Sequence, residues 1–80
     1  MAHEPEPVGT LPPKVRCLAT LGCALAVRRE DEIPVCTNAC LKAGATPDEI
    51  MEVLRLATVT AECPGDRYRA IIQQEIDNLG

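Results

Sequence analysis

The chain has no tryptophan, no phenylalanine and a single tyrosine, Tyr68, among its 80 residues. Its apolar residues are therefore mostly Ala, Val, Leu and Ile, side chains that let helices approach closely but bury little area each. A chain this short makes one domain with a limited core. Scaffolds of that size usually draw support from self-association, a metal or disulfides. No apolar run reaches the roughly 18 residues of a membrane span, so no membrane-crossing helix is expected. A basic face is missing too. The net charge is −4, and the one basic pair, Arg28-Arg29, is followed at once by Glu30, Asp31 and Glu32. Nucleic-acid binding is not expected without such a face. The opening MAHEPEPVGT has neither the charged nor the apolar segment of a secretory signal, which points to a cytoplasmic, reducing compartment. Histidine occurs once, at His3. It lies in a Pro- and Glu-containing stretch, residues 1–10, that reads as a flexible arm ahead of one helical domain over 11–80. There is no strand alternation and no internal repeat.

The remaining pattern is helical. Leu11-Pro12-Pro13 opens a first helix, since proline is tolerated in a first turn. From Val15 to Val27, Leu18, Leu21, Gly22 and Leu25 recur at three- and four-residue spacing as one apolar stripe. Arg28 and Arg29 suit the negative C-terminal end of that helix. Glu30-Asp31-Glu32 suits the start of a second helix, running to Ala43 with Pro34 in its first turn and Gly44 as the terminating residue. Ile33, Cys36, Cys40 and Ala43 share its inner face. Thr46-Pro47-Asp48-Glu49 is the sharpest local signal, with Thr46 as N-cap, Pro47 at the first helical position and Glu49 closing a capping box. The third helix then runs from Pro47 to Ala61, with Ile50, Val53, Leu54, Ala57 and Ala61 inward. Cys63-Pro64-Gly65 breaks the pattern. A fourth helix follows from Asp66 to Leu79, its seam formed by Tyr68, Ile72, Ile76 and Leu79. The expected architecture is all-α, with short connections and antiparallel neighbours.

Five cysteines stand on this scaffold: Cys17, Cys23, Cys36, Cys40 and Cys63. An odd count without a secretory signal argues against a structural disulfide framework. Free cysteine often packs as a small hydrophobe. Cys36 and Cys40 are one helical turn apart, not the spacing of a C-x-x-C dithiol. Their Cα atoms stand about 6 Å apart on a helix, inside the disulfide range, but helical Cβ directions suit a bond poorly. Cys23 is expected in the core, and Cys63, at the end of the third helix, is expected exposed. Arg67 and Arg69 read as a solvated face pairing with Glu75 or Asp66. Met51 and Tyr68 read as core or interface residues.

The segments ACLKAGATPDEIMEVLRLATV, residues 39–59, and LPPKVRCLATLGCALA, residues 11–26, resemble the carboxymuconolactone decarboxylase and alkylhydroperoxidase D-like family. The resemblance spans roughly residues 11–72. It implies a small antiparallel helical domain of the alkylhydroperoxidase D-like type, assembled as a homo-oligomer, a trimer or hexamer. It also places the active positions by count. In the peroxidase branch a Glu on the first helix precedes a C-x-x-C pair, a His four residues after the second Cys, and the turn glycine eight residues after that His. Counting back from Gly44 puts Cys36 at the His position, Glu32 and Arg29 at the two Cys positions, and Cys17 at the position of the Glu. Glu32 resembles the decarboxylase branch, which keeps a Glu four residues before its His.

Three function classes follow. The first is thiol-dependent, peroxidase-type redox chemistry, which needs an accessible thiolate, a resolving thiol and a base. The resemblance implies Cys36 and Cys17 as the couple, with Cys40 beside them and Glu32 as base. A carboxylate next to a thiol raises the thiol's pKa, while Arg29 acts in the opposite sense. A thiol reductant or partner protein would recycle such a site, and no cofactor is expected. The second is soft-metal binding of Zn, Cu(I) or an Fe–S cluster by Cys17, Cys36 and Cys40, with Glu32 as a fourth ligand. The third is a catalytically inactive helical assembly or partner-binding module. Lactone decarboxylation is not expected, because no histidine is present in the folded part to move the proton.

Overall fold

The computed structural model describes residues 10–79, which form four α-helices and no strand. The expected arm, apart from Thr10, lies outside the described residues. The helices are α1 (Pro13–Ala26), α2 (Glu32–Lys42), α3 (Pro47–Ala61) and α4 (Gly65–Leu79). These bounds lie within one or two residues of those read from the sequence, because the caps act locally. Thr46 Oγ1 accepts from the Glu49 N–H at 3.1 Å, and Glu49 Oε1 accepts from the Thr46 N–H at 2.9 Å. This is the capping box that starts α3.

Gly44, at φ +98°, ends α2. The Ala45 N–H donates to the Cys40 carbonyl and the Gly44 N–H to the Leu41 carbonyl, a Schellman closure. α1 ends by the same pair of bonds, from Arg29 to Ala24 and from Arg28 to Leu25. Here the left-handed position is held by Arg28, at φ +61°. Its side chain does not serve the end of α1, as the sequence implies. It reaches across to donate to the Glu62 carbonyl at 2.9 Å and the Ala61 carbonyl at 3.5 Å, covering the end of α3. Arg67 likewise pairs with Glu30 at 2.7 Å, not with Glu75 or Asp66. The loop between α1 and α2 is thus tied to the turn between α3 and α4.

The packing partners are not simply the neighbours in sequence. α1 packs on α2 and on α3, α4 packs on α2 and less extensively on α3, and α2 barely meets α3. The four-residue link from α2 to α3 therefore redirects the chain and does not close a hairpin. Leu21, Leu25, Ile33, Ile50, Leu54, Tyr68 and Ile72 fill the centre. Gly22 faces α3, where an added Cβ would meet Val53 Cγ1 at 3.5 Å, an ordinary contact. No helix among the described residues is long and apolar enough to cross a membrane.

Candidate functional site

The crevice between α1 and α2 gathers most of the chemistry. Cys17 projects from the first half of α1 and is partly buried against the core. Cys36 and Cys40 sit one turn apart on α2, 8% and 0% exposed. Because α1 and α2 form the hairpin, these three thiols come within electrostatic reach of one another. Burial raises the Cys36 thiol first, then the Glu32 carboxylate, then Cys17. Cys40 is pushed up to about 11, by burial first, then Cys17 and Cys36. A thiolate is poorly tolerated here, since it loses hydration and meets other negative groups. All five cysteines are free thiols.

An open depression of about 400 Å³ lies over the outer side of this crevice, lined by Thr20, Cys23, Ala24, Val27, Arg29, Glu32 and Cys36. Cys36 and Glu32 both line it, and Arg29 stands with them. Cys17 and Cys40 do not line it. Arg29 contacts Asp31 at 3.6 Å and Glu32 at 3.9 Å, both long and largely exposed. Such pairs hold little energy and leave guanidinium donors free.

Two cysteine assignments are corrected. Cys23, expected in the core, is exposed and lines the depression. At about 100° per residue it lies roughly 165° around α1 from the centre of the Leu18, Leu21 and Leu25 stripe. A full helical wheel carries that signal, whereas its spacing from Cys17 alone does not. Cys63, expected exposed, is buried, with its sulfur 3.7 Å from Thr58 Oγ1. It ends up inside because the turn into α4 folds back over α3. One buried residue had no signal in the apolar pattern. Thr37 is fully enclosed and its hydroxyl has no hydrogen-bond partner.

Among the described residues no group of three or more His, Cys, Asp or Glu side chains is arranged to hold a metal ion. Cys17, Cys36, Cys40 and Glu32 are near one another but do not converge on a common point, so the geometry lends the soft-metal alternative no support.

The sequence profile of the carboxymuconolactone decarboxylase family matches residues 4–73. A protein of Acinetobacter baylyi named 4-carboxymuconolactone decarboxylase is 32% identical over 66 residues, covering 82% of this chain and 49% of the relative. The chain spans about half the length of that relative. No solved structure matches it.

Proposed function

The chain belongs to the carboxymuconolactone decarboxylase family, and from that premise we propose that it is a thiol-dependent redox protein centred on Cys36, with Cys17 and Cys40 as its neighbours. The observation that carries this reading is the cluster itself. Three free thiols stand on two packed helices, Cys17 adds to the raised proton affinity of Cys36 and Cys40, and Cys36 opens onto a solvent-facing depression. The net reaction is reduction of a hydroperoxide to its alcohol and water, with two thiols converted to one disulfide. Raised thiol pKa values make the reaction slow at neutral pH and faster as pH rises, since the thiolate is the nucleophile. They also make any disulfide formed slow to reduce, because the departing thiolate is poorly stabilised. Glu32 holds Cys36 protonated at rest and accepts its proton during reaction. A cytoplasmic thiol reductant completes the cycle. The activity named for the Acinetobacter relative is not carried over, because residues 10–79 contain no histidine to serve as the proton carrier of an enol intermediate.

The test is a thiol titration before and after hydroperoxide. Loss of two thiols, reversed by a dithiol and no longer paired in Cys36→Ser, is expected. No loss of thiols ends the reading.

A second reading, a helical assembly module, is favoured by a different feature. α1 and α3 leave an apolar groove lined by Val15, Leu18, Gly22, Val53 and Leu56 among others, with Val59 also exposed nearby. Exposed apolar patches of this kind mark association surfaces. Under either reading the chain forms a homo-oligomer, a trimer or hexamer, through this face. A monomeric mass by light scattering refutes that assembly.

A further inference from the structure

We infer that Arg67, on a helix that carries none of the crevice thiols, is a positioning residue for Cys36: with Arg28 it clasps the α1–α2 loop to the α3–α4 turn and so sets where Glu32 stands. The inference rests on the reading of Cys36 as the working thiol and names what regulates it.

The clasp has two arms that cross one gap in opposite directions. Arg28 Nη2 leaves the α1–α2 loop and donates to the Glu62 carbonyl at 2.9 Å and the Ala61 carbonyl at 3.5 Å. Arg67 Nη2 leaves the first turn of α4 and donates to Glu30 Oε1 at 2.7 Å. Arg28 and Glu62, one on each side of the gap, both hold left-handed backbone, at φ +61° and +55°. Residues other than glycine stay in that region only where their surroundings over-determine them. The loop is therefore held in one conformation from the far side of the molecule.

Glu30 is also the entry to α2. Its carbonyl accepts from the Ile33 N–H at 3.3 Å, and the Arg29 carbonyl accepts from the Glu32 N–H at 2.9 Å. Holding the Glu30 side chain thus holds the first turn of α2, where Glu32 stands four residues before Cys36, on the same face of the helix. Two charged groups depend on that placement. Glu32 raises the proton affinity of Cys36, second only to burial, and Cys17 on α1 adds to it. Arg29 divides its guanidinium between Asp31 at 3.6 Å and Glu32 at 3.9 Å, so it leaves much of the Glu32 field uncancelled. On α4, Glu75 is engaged by Asn38 at 3.2 Å. When the clasp opens, Glu32 moves off Cys36 or Arg29 closes on Glu32. Both movements lessen the negative field at the thiol and make its thiolate easier to form. The closed clasp keeps Cys36 protonated at rest.

The experiment measures alkylation of each cysteine by iodoacetamide at pH 8 in the full-length protein, resolved by peptide mass spectrometry. It compares wild type, Arg67→Gln, Arg67→Lys, Glu32→Gln and the Arg67→Gln, Glu32→Gln double variant. The Arg67 and Glu30 side chains are 67% and 40% exposed, so these variants are expected to fold, and circular dichroism checks this. Cys36 is expected to react about two- to fivefold faster in Arg67→Gln, the size of effect that a half-exposed charge exerts. Arg67→Lys keeps a cation on Glu30 and should react at nearly the wild-type rate. In the Glu32→Gln background Arg67→Gln should add no acceleration, because Arg67 acts through Glu32. Cys40 reports general loosening of the crevice, and its rate should not change. An unchanged Cys36 rate in Arg67→Gln, a parallel rise at Cys40, the same acceleration without Glu32, or Arg67→Lys as fast as Arg67→Gln overturns the inference. These rates are read without hydroperoxide, so the thiol titration decides the redox reading separately.

Discussion

Thr37 is the residue at which a single atom exchange should stabilise this protein. It lies fully enclosed on α2, and its Oγ1 has no hydrogen-bond partner. Helical threonines usually return their hydroxyl to a carbonyl in the preceding turn. Thr20 does so with Arg16, and Thr58 with Leu54, both at 2.8 Å. Thr37 does not. A buried hydroxyl without a partner costs about 1–3 kcal/mol of lost hydration. Thr37→Val replaces that hydroxyl with a methyl of nearly the same size, and valine and threonine have similar helix propensities. The expected gain is about 1–2 kcal/mol. In a domain of this length each kcal/mol moves the melting temperature by about 4–8 °C. Urea unfolding followed by circular dichroism, at fixed protomer concentration because association feeds into apparent stability, measures the change. Thr37→Ser is the control, since it keeps the hydroxyl and loses the methyl, and it should be less stable than wild type by about 1 kcal/mol. A valine variant at or below wild-type stability refutes the reasoning, because it means the hydroxyl is satisfied in solution.

Three further predictions follow from the site and its supports. Cys40 holds its proton to about pH 11 in the folded chain, against 9.0 for an ordinary thiol, so its contribution is complete below about pH 9 and is lost as pH rises toward 11. Two pKa units correspond to about 2–3 kcal/mol. Unfolding midpoints measured across that window should fall more steeply for wild type than for Cys40→Ala, and parallel curves would count against the burial argument. Glu32→Gln removes a carboxylate that raises Cys36, so alkylation of Cys36 near neutral pH should accelerate; an unchanged or slower rate contradicts the assigned coupling. Arg28→Ala keeps a left-handed residue and loses the bonds to Ala61 and Glu62, whereas Arg28→Gly loses the bonds but relieves about 1–2 kcal/mol of backbone strain. The glycine variant should therefore be the more stable of the two by urea denaturation, and equal stabilities refute the strain argument.

The sequence alone determined the helices and their ends. Thr46, Pro47, Glu49 and Gly44 act within one turn of themselves, so no distant contact was needed to read them, and the α2 and α3 boundaries followed. The family segment 39–59 rests on the same local signals, and the count from Gly44 singled out Cys36 and Glu32, both of which line the depression. What escaped is non-local. Spacing brought Cys17 near Cys36 only through the resemblance, and said nothing of which thiols solvent reaches. Cys23 faces outward and Cys63 inward because the first depends on which side of α1 its partners cover, and the second on how the turn into α4 folds back. The pairing of Arg67 with Glu30 and the reach of Arg28 to the end of α3 depend on α3 lying against α1 and not against α2. Local hydrogen bonding and side-chain periodicity fix where a helix starts and stops. Which helices touch, which thiol is exposed and which hydroxyl is left without a partner are decided only when the four apolar faces close on one another, because each is a property of two or more elements at once.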